Sequence, residues 1–382
     1  MRADASRSVD TLNGALLMST LPRINAVSTL RIALISPLYE AVPPRLYGGT
    51  ERIVAALANA LIELGHDVTL FACADADTDA RLVATRDQSL RLDPDPLLSG
   101  VAAHLTMLDE VRRRAGDFDI LHFHTDLMHF PFFEHMAERT LTTLHGRLDL
   151  KDLAGVFERW PQFPLVSISD RQRLPLPDAN WLGTVYHGLC PRNFKFCARP
   201  SGDYLAFIGR VSPEKRLDRA IAIAREAGMP LKIAAKIDEA DQIYFKDVIE
   251  PLLHHPAVEF IGEIGDADKS EFLGNARALL FPIDWPEPFG LAMIEAMACG
   301  TPVIAWNRGS VPEVIEPDLT GAIVDSEGDA VAALRALHNF DRRRIRRAFE
   351  RRFSSQTMAT RYVALYRQLL EAAPAGRTES AA

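Results

Sequence analysis

The chain has 382 residues, room for two or three domains at about 150 residues each. Hydrophobic residues make up 48% and charged residues 25%, a globular composition that excludes a disordered or fibrous chain. Lys and Arg total 43 against 51 Asp and Glu, and the net charge of −8 argues against broad nucleic-acid or anionic-membrane binding while leaving room for a local basic pocket.

The first 29 residues are polar and carry only a short apolar patch, Ala15 to Met18, too weak for a signal sequence. They read as a disordered leader, with Met18 as an alternative initiator. No apolar run approaches the roughly 20 residues of a membrane-spanning helix. Cys73, Cys190, Cys197 and Cys299 are widely spaced without a C-x-x-C pair, which fits a reduced compartment and a soluble, cytoplasmic protein.

From residue 30 onward short apolar runs alternate with helix-period stretches, the mark of parallel α/β units. Strands are predicted at 30–36, 67–73, 119–124, 140–145 and 165–169. Between the first two, Ile53, Leu57, Leu61 and Leu64 recur at helical spacing, with Thr50 to open the helix and Gly65 to close it. The pattern breaks at 190–203 into Pro, Gly, Ser and Asn, then restarts with strands at 204–209, 231–235, 258–262, 278–282, 302–306 and 322–325. Two doubly wound, Rossmann-like domains at 30–195 and 196–350 follow, facing a central cleft beyond the carboxyl ends of their strands. A helix at 351–373 is expected to pack back on the first domain, ahead of a frayed tail at 374–382. Loops at 75–85 and 147–160 of the first domain would face the cleft.

Two segments carry chemistry. In Gly209-Arg210-Val211-Ser212-Pro213-Glu214-Lys215 an apolar strand ends and a helix is predicted to begin, with Ser212 as its cap and Pro213 in its first turn. Two cations beside free helix-end amides suit an anion such as a diphosphate, although a short basic pair at an ordinary surface turn looks the same. In the second segment, Glu287-Pro288-Phe289-Gly290-Leu291 leads into a helix predicted from about Gly290 to Gly300, with Glu295 inside it. Eight residues of helix would part Glu287 and Glu295 by about 12 Å, too far for the carboxylate pair of a retaining glycosidase at about 5–5.5 Å.

Taken together these segments resemble the retaining GT-B glycosyltransferases of glycosyltransferase family 4. The resemblance continues through Glu295-Ala296-Met297-Ala298-Cys299-Gly300-Thr301-Pro302 and Gly309-Ser310-Val311-Pro312-Glu313, and in the first half through Tyr47-Gly48-Gly49-Thr50-Glu51 and Leu144-His145-Gly146. It covers roughly residues 30–370. Tyr-Gly-Gly-Thr-Glu and Leu-Lys-Ile-Ala-Ala-Lys are most similar to the branch that includes the avilamycin-biosynthesis glycosyltransferase. The resemblance implies an α/β, GT-B fold and transfer of a hexosyl group from a UDP- or GDP-sugar to an acceptor hydroxyl on a saccharide, glycolipid or small molecule. It implies no cofactor and no metal. Arg210 and Lys215 would hold the donor diphosphate. Gly48 and Gly49 would let the backbone approach it, and His145 would hydrogen-bond the sugar near the reacting centre. Glu287 and the backbone of Phe289, Gly290 and Leu291 would bind sugar hydroxyls, while Glu295 would accept from the ribose. The base would meet the loop around Ile264, with Lys236 adding charge near the phosphates.

Other signals weigh less. His122, His124, His129 and His135 could suggest zinc, but strand-end and surface histidines are commoner. Asp75/Asp77, Asp93/Asp95, Asp117/Asp119 and Asp266/Asp268 all satisfy Asp-x-Asp, too many copies to single out a metal site. The arginines from Arg342 to Arg352 could touch a membrane weakly, but at helical spacing they fit a solvated face. A GT-B epimerase or hydrolase, or a nucleotide-sugar-binding protein without turnover, remain the rival readings. A dehydrogenase lacks its G-x-G-x-x-G after the first strand.

Overall fold

The computed structural model describes residues 28–46, 48–95 and 98–372. The expected leader, its alternative start at Met18, Tyr47 of the glycine loop and the expected frayed tail lie outside the described residues.

Seven parallel strands form the first sheet: β1 (Arg31–Ile35), β2 (Asp67–Cys73), β3 (Arg81–Arg86), β4 (Ile120–Phe123), β5 (Thr140–Thr143), β6 (Leu165–Ser167) and β7 (Trp181–Thr184), in the order β3-β2-β1-β4-β5-β6-β7. Six parallel strands form the second: β8 (Leu205–Arg210), β9 (Leu231–Lys236), β10 (Val258–Gly262), β11 (Ala278–Phe281), β12 (Val303–Trp306) and β13 (Gly321–Val324), in the order β10-β9-β8-β11-β12-β13. These are the two doubly wound units expected from the alternating pattern. β4, β5, β11 and β12 are buried along their whole length, as strands covered on both faces must be, and all but the threonine-rich β5 read as largely apolar runs. The edge strands β3 and β7 carry no such run and escape sequence analysis. The expected loop at 75–85 therefore contains the start of an edge strand, and 147–160 contains the helix Leu153–Arg159.

The helix Gly49–Glu63 buries Ile53, Val54, Leu57 and Leu61. It ends on Gly65, whose φ of 87° suits glycine, with Gly65 N–H and His66 N–H donating to the carbonyls of Ile62 and Leu61. The chain crosses between domains twice, and the two crossings are laced together. Leu189 N–H donates to Phe353 O at 2.9 Å and Ser355 N–H to Leu189 O at 2.9 Å. The predicted helix at 351–373 is in fact the second of two: Arg342–Phe353 lies on the second domain, and Ser355–Ala372 follows a break at Ser354. That last helix lies against Gly49–Glu63. It is pinned to the first sheet by Tyr362, whose hydroxyl is 2.9 Å from Thr143 Oγ1, and by Tyr366, 2.8 Å from His122 Nδ1.

The basic run is only partly a solvated face. Arg342 donates to Cys197 O, Ala276 O and Gly274 O, Arg346 to Phe194 O, Pro191 O and Ala298 O, and Arg352 to Val314 O and Glu316. Arg343, Arg344, Arg347 and Arg351 stay exposed. No helix among the described residues is long and apolar enough to cross a membrane.

Candidate active site

Strand order reverses between β1 and β4 in one sheet and between β8 and β11 in the other, and ligands of such sheets bind beyond the strand ends at those points. β8 ends at Arg210. The chain then makes one tight turn, Pro213–Lys215, and Arg216 takes the left-handed conformation (φ 55°) before the helix Leu217–Ala227. The single helix expected from Ser212 is thus split. Arg216 is drawn aside by Asp218 at 2.9 Å and Asp284 at 3.2 Å. Lys215, just before the break, ion-pairs with Glu287 and sits 4.7 Å from the centre of the Trp285 ring. Arg210 pairs with Glu214 at 2.5 Å and lies 3.6 Å from Asp238 and 3.5 Å from Asp241.

The loop after β11 is held from three sides. Trp285 Nε1–H donates to Glu287 Oε2 at 3.0 Å. Ser310 donates from its backbone to Glu287 O at 2.9 Å and from its hydroxyl to Phe289 O at 2.8 Å. Gly309, at φ 49°, lies so close that a Cβ there would stand 2.3 Å from Glu287 N. The helix that follows runs Leu291–Cys299 between Gly290 and Gly300, close to its predicted limits. Inside it Glu295, 4% exposed, meets Lys269 at 2.8 Å. Lys269 is also 3.2 Å from Asp266, and Asp266 receives two hydrogen bonds, at 3.1 and 2.7 Å, from Arg52 of the first domain. Burial pushes the Asp266 carboxyl up, but Arg52 and Lys269 outweigh it and hold it below its ordinary range.

The first domain contributes Gly48, Gly49, His145 and His187. A Cβ on Gly48 would fall 2.7 Å from Pro44 Cβ, so packing within the loop already demands glycine, whereas one on Gly49 would meet Leu291 of the other domain at an ordinary 3.5 Å. His145 follows β5. Its Nε2 is 2.8 Å from His124 Nδ1, and its ring stacks on His187 with centres 5.2 Å apart. His187 in turn meets the Phe289 ring in a T-shaped contact across the cleft, with centres 4.9 Å apart. Burial pushes His145 down to about 3 and takes His124 and His187 well below the ordinary imidazole range, so all three are neutral at pH 7.

The twelve residues to which the resemblance gives a role line one cavity of about 260 Å³: Gly48, Gly49, His145, Arg210, Lys215, Lys236, Ile264, Glu287, Phe289, Gly290, Leu291 and Glu295. Lys236 is 3.1 Å from Asp238. Sequence analysis misses Arg52, His187 and Lys269, which line the same cavity. His187 carries the strand-end signal that picked out His145, but β7 before it is too short to recognise. Nothing local marks Lys269. Of the histidines weighed as zinc ligands, His122 bonds Tyr366 and Thr143, His129 bonds Thr142 at 3.0 Å while stacking on Phe123, and His135 is exposed. The Asp-x-Asp copies are largely spent as well, Asp93 on Arg86, Asp119 on Arg31 and Asp266 on Arg52.

Comparison with known proteins agrees with this fold. The family model described as Glycosyltransferase Family 4 matches residues 47–179, and that described as Glycosyl transferases group 1 matches residues 194–350. The alpha-maltose-1-phosphate synthase of Mycolicibacterium smegmatis is 24% identical over 356 residues, which span 80% of this chain and 87% of that protein. The phosphatidyl-myo-inositol mannosyltransferase of Mycobacterium leprae is 26% identical over 342 residues, spanning 81% and 86%. Among solved structures, AviGT4, a glycosyltransferase involved in avilamycin A biosynthesis, superposes with a TM-score of 0.70 at 25% identity over 90% of this chain and 99% of its own. Sucrose-phosphate synthase from Thermosynechococcus elongatus shares the fold with a TM-score of 0.72 at 19% identity, over 90% and 100%. Two facing doubly wound domains and these matches define a glycosyltransferase of the GT-B class. Within that class the chain belongs to glycosyltransferase family 4.

Proposed function

We propose that this enzyme moves a hexosyl group from a UDP- or GDP-sugar to an acceptor hydroxyl with retention of anomeric configuration and without a metal ion. The observation that carries the reading is the shared cavity: cations of the second domain, Arg210, Lys215 and Lys236, face the glycine loop and neutral His145 of the first. Structural relatives include proteins described in complex with UDP and with UDP-glucose, and sequence relatives include enzymes described as GDP-mannose-dependent.

Arg210 and Lys215 neutralise the diphosphate as it departs, a task a divalent cation performs elsewhere. Lys215 enters already aligned on Glu287, so a sugar hydroxyl can take its place on the Glu287 carboxylate while the ammonium turns to phosphate. His145 hydrogen-bonds the sugar, Phe289, Gly290 and Leu291 offer backbone amides, and Glu295 accepts from the ribose. The base lies by Ile264. The acceptor oxygen attacks the anomeric carbon from the face the diphosphate leaves. The bond to the phosphate oxygen breaks, and the acceptor proton passes to that oxygen, so no enzymic nucleophile is needed. Closure of the domains keeps water from the activated sugar. The four cysteines are free thiols, in keeping with a cytoplasmic setting.

The test is transfer by purified protein with a panel of nucleotide sugars and candidate hydroxyl acceptors, with the anomeric product assigned by NMR. Lys215→Ala and Glu287→Ala are each expected to cut transfer by about a hundredfold with unchanged circular dichroism, and EDTA to leave the rate intact. Near-normal turnover by both variants removes the site assignment. Fast hydrolysis or isomerisation of donor without acceptor supports the epimerase or hydrolase reading instead.

A further inference from the structure

Arg52 sits in the first turn of the helix Gly49–Glu63 and is only 8% exposed. Both facts count against it. A helix N-terminus is the positive end of the macrodipole, so a cation there has the wrong sign, and a buried guanidinium persists only where its N–H groups are matched. Here they are matched on two sides. Nη1 donates to Gly48 O at 3.0 Å and Nη2 to Leu46 O at 3.0 Å, while Nε and Nη2 donate to the Asp266 carboxylate at 3.1 and 2.7 Å. Leu46 and Gly48 belong to the glycine loop of the first domain, and Asp266 opens the helix Asp266–Asn275 of the second. One nitrogen, Nη2, serves Leu46 O and Asp266 together, so the loop and the neighbouring domain are held by the same group.

The helix start has no side-chain cap, since Gly48 carries none. The bonds from Arg52 take over the task of fixing the chain as it enters the helix. Because the peptide unit is planar, holding Gly48 O also fixes the Gly49 N–H, which points the opposite way. Leu46, Gly48, Gly49 and Thr50 all line the donor cavity, as does Arg52 itself. The guanidinium therefore sets the backbone wall of the cavity on its first-domain side, from an anchor on the second domain.

We propose that Arg52 is a positioning residue for the distal phosphate of the donor: by holding the carbonyls of Leu46 and Gly48 it keeps the glycine loop in the shape that receives a diphosphate. The inference rests on the reading of that loop as a diphosphate contact given above, and it adds that the shape of the loop is set by a side chain anchored on the other domain. In that reading the nucleoside lies by Ile264 and Glu295 of the second domain, so the first-domain loop meets the end of the ligand farthest from the base. The chemistry recognised at this point is the second phosphoryl group of a nucleoside diphosphate. Lysine cannot do the same work, because one ammonium lacks the planar fork that serves two carbonyls and a carboxylate at once.

The test compares two ligands on full-length protein by isothermal titration calorimetry, UDP against UMP and GDP against GMP. Wild type is expected to prefer the diphosphate of the pair it binds. Arg52→Gln is expected to lower that diphosphate-to-monophosphate affinity ratio about tenfold, close to the worth of one charge-assisted hydrogen bond. Arg52→Lys, which restores a charge beside Asp266 but not the fork, should recover affinity for both ligands and leave the ratio low. Asp266→Asn, in which the guanidinium keeps both loop carbonyls, should weaken both ligands alike and hold the ratio within about twofold. A wild-type ratio in Arg52→Gln and Arg52→Lys overturns the proposal, as does an equal loss for both ligands, which marks a general structural role. If Arg52→Gln fails to fold, Arg52→Lys keeps the charge and its ratio alone decides. Failure of the underlying reading is separate: wild type that binds diphosphate no better than monophosphate removes the phosphate contact itself, before any variant is compared.

Discussion

Five histidines, His122, His124, His129, His145 and His187, are held where charging them means taking an imidazolium out of water. Burial lowers the pKa of each, that of His145 to about 3. Above the unfolded value of about 6.5 both folded and unfolded chains leave these rings neutral, and the stabilisation is fully present. As pH falls below that value the unfolded chain takes up protons the folded chain refuses, so stability falls by about 1.4 kcal/mol per proton per pH unit. Glu51 works the other way. Burial raises it to about 7, so the folded chain holds a proton there that the unfolded chain releases above its ordinary 4.5, and this contribution is lost as pH rises through that window. Burial raises Asp126 and Asp241 in the same direction, and these three acids offset only part of the five histidines. Urea unfolding between pH 6.5 and 5 is therefore expected to show stability falling with acidity and a net uptake of protons on unfolding; a flat or rising profile contradicts the neutral cluster. Sequence analysis sees the alternation of His122 and His124 on one strand but not why they are buried. Tyr362 and Tyr366, which close over His122 and Thr143, lie more than two hundred residues away, and no local pattern announces that contact.

At the level of elements, the loop from β11 to the glutamate helix owes its shape to a neighbour rather than to its own residues. Gly309 is the tightest point: besides its left-handed φ of 49°, a Cβ would stand 2.3 and 2.4 Å from the backbone N and O of Glu287. Backbone cannot rotate away as a side-chain tip can, so Gly309→Ala must displace the segment carrying Glu287 and Phe289. Left-handed strain alone costs about 1–3 kcal/mol. Gly309→Ala is expected to lower the melting temperature by several degrees and to cut transfer more than tenfold, whereas Gly49→Ala, with only an ordinary contact, should keep the apo stability. Calorimetry and transfer assays on both variants check the contrast; equal melting temperatures refute it. The helix after this loop is legible in the sequence because Gly290 and Gly300 punctuate it at both ends. β3 and β7 are not, since an edge strand has one exposed flank and sequences such as Arg81-Leu82-Val83-Ala84-Thr85-Arg86 mix charge with small residues. The turn at Pro213 misleads for another reason: its cap and proline are good helix-starting signals, but Arg216 is claimed by Asp284 from the β11 loop, a partner the local sequence does not contain.

Across the whole molecule, the two domains are legible from the repeated strand-helix rhythm and the break near residue 200, but the contacts that set their relative position are not. Several ties cross the cleft among the described residues, the following among them. Ser169 Oγ–H donates to Pro288 O at 2.7 Å, Glu313 accepts from the Asp170 and Arg171 amides at 2.7 and 2.8 Å, and Arg52 grips Asp266. The last is connected to the cavity, because Lys269 joins Asp266 to Glu295. If Glu295 takes a donor hydroxyl as proposed, that hydroxyl would compete for the same charges that hold Arg52, and donor binding and domain position would share one electrostatic network. Arg52 is nearly buried and Asp266 about half exposed, at 9% and 45%, so the pair lies between a screened surface bridge and a buried one and is worth about 1 kcal/mol. Asp266→Asn is then expected to shift the unliganded enzyme toward a more open form, seen as a larger radius of gyration in solution scattering, and to weaken nucleotide binding about fivefold. Saturating nucleotide should restore the compact form. Removing Arg52 as well, in Arg52→Gln/Asp266→Asn, should add little beyond the single variants if the two act as a unit. Strictly additive losses, or unchanged scattering and affinity in Asp266→Asn, would show that the cleft is held without the Arg52–Asp266 pair and that donor binding is not coupled to it through Lys269.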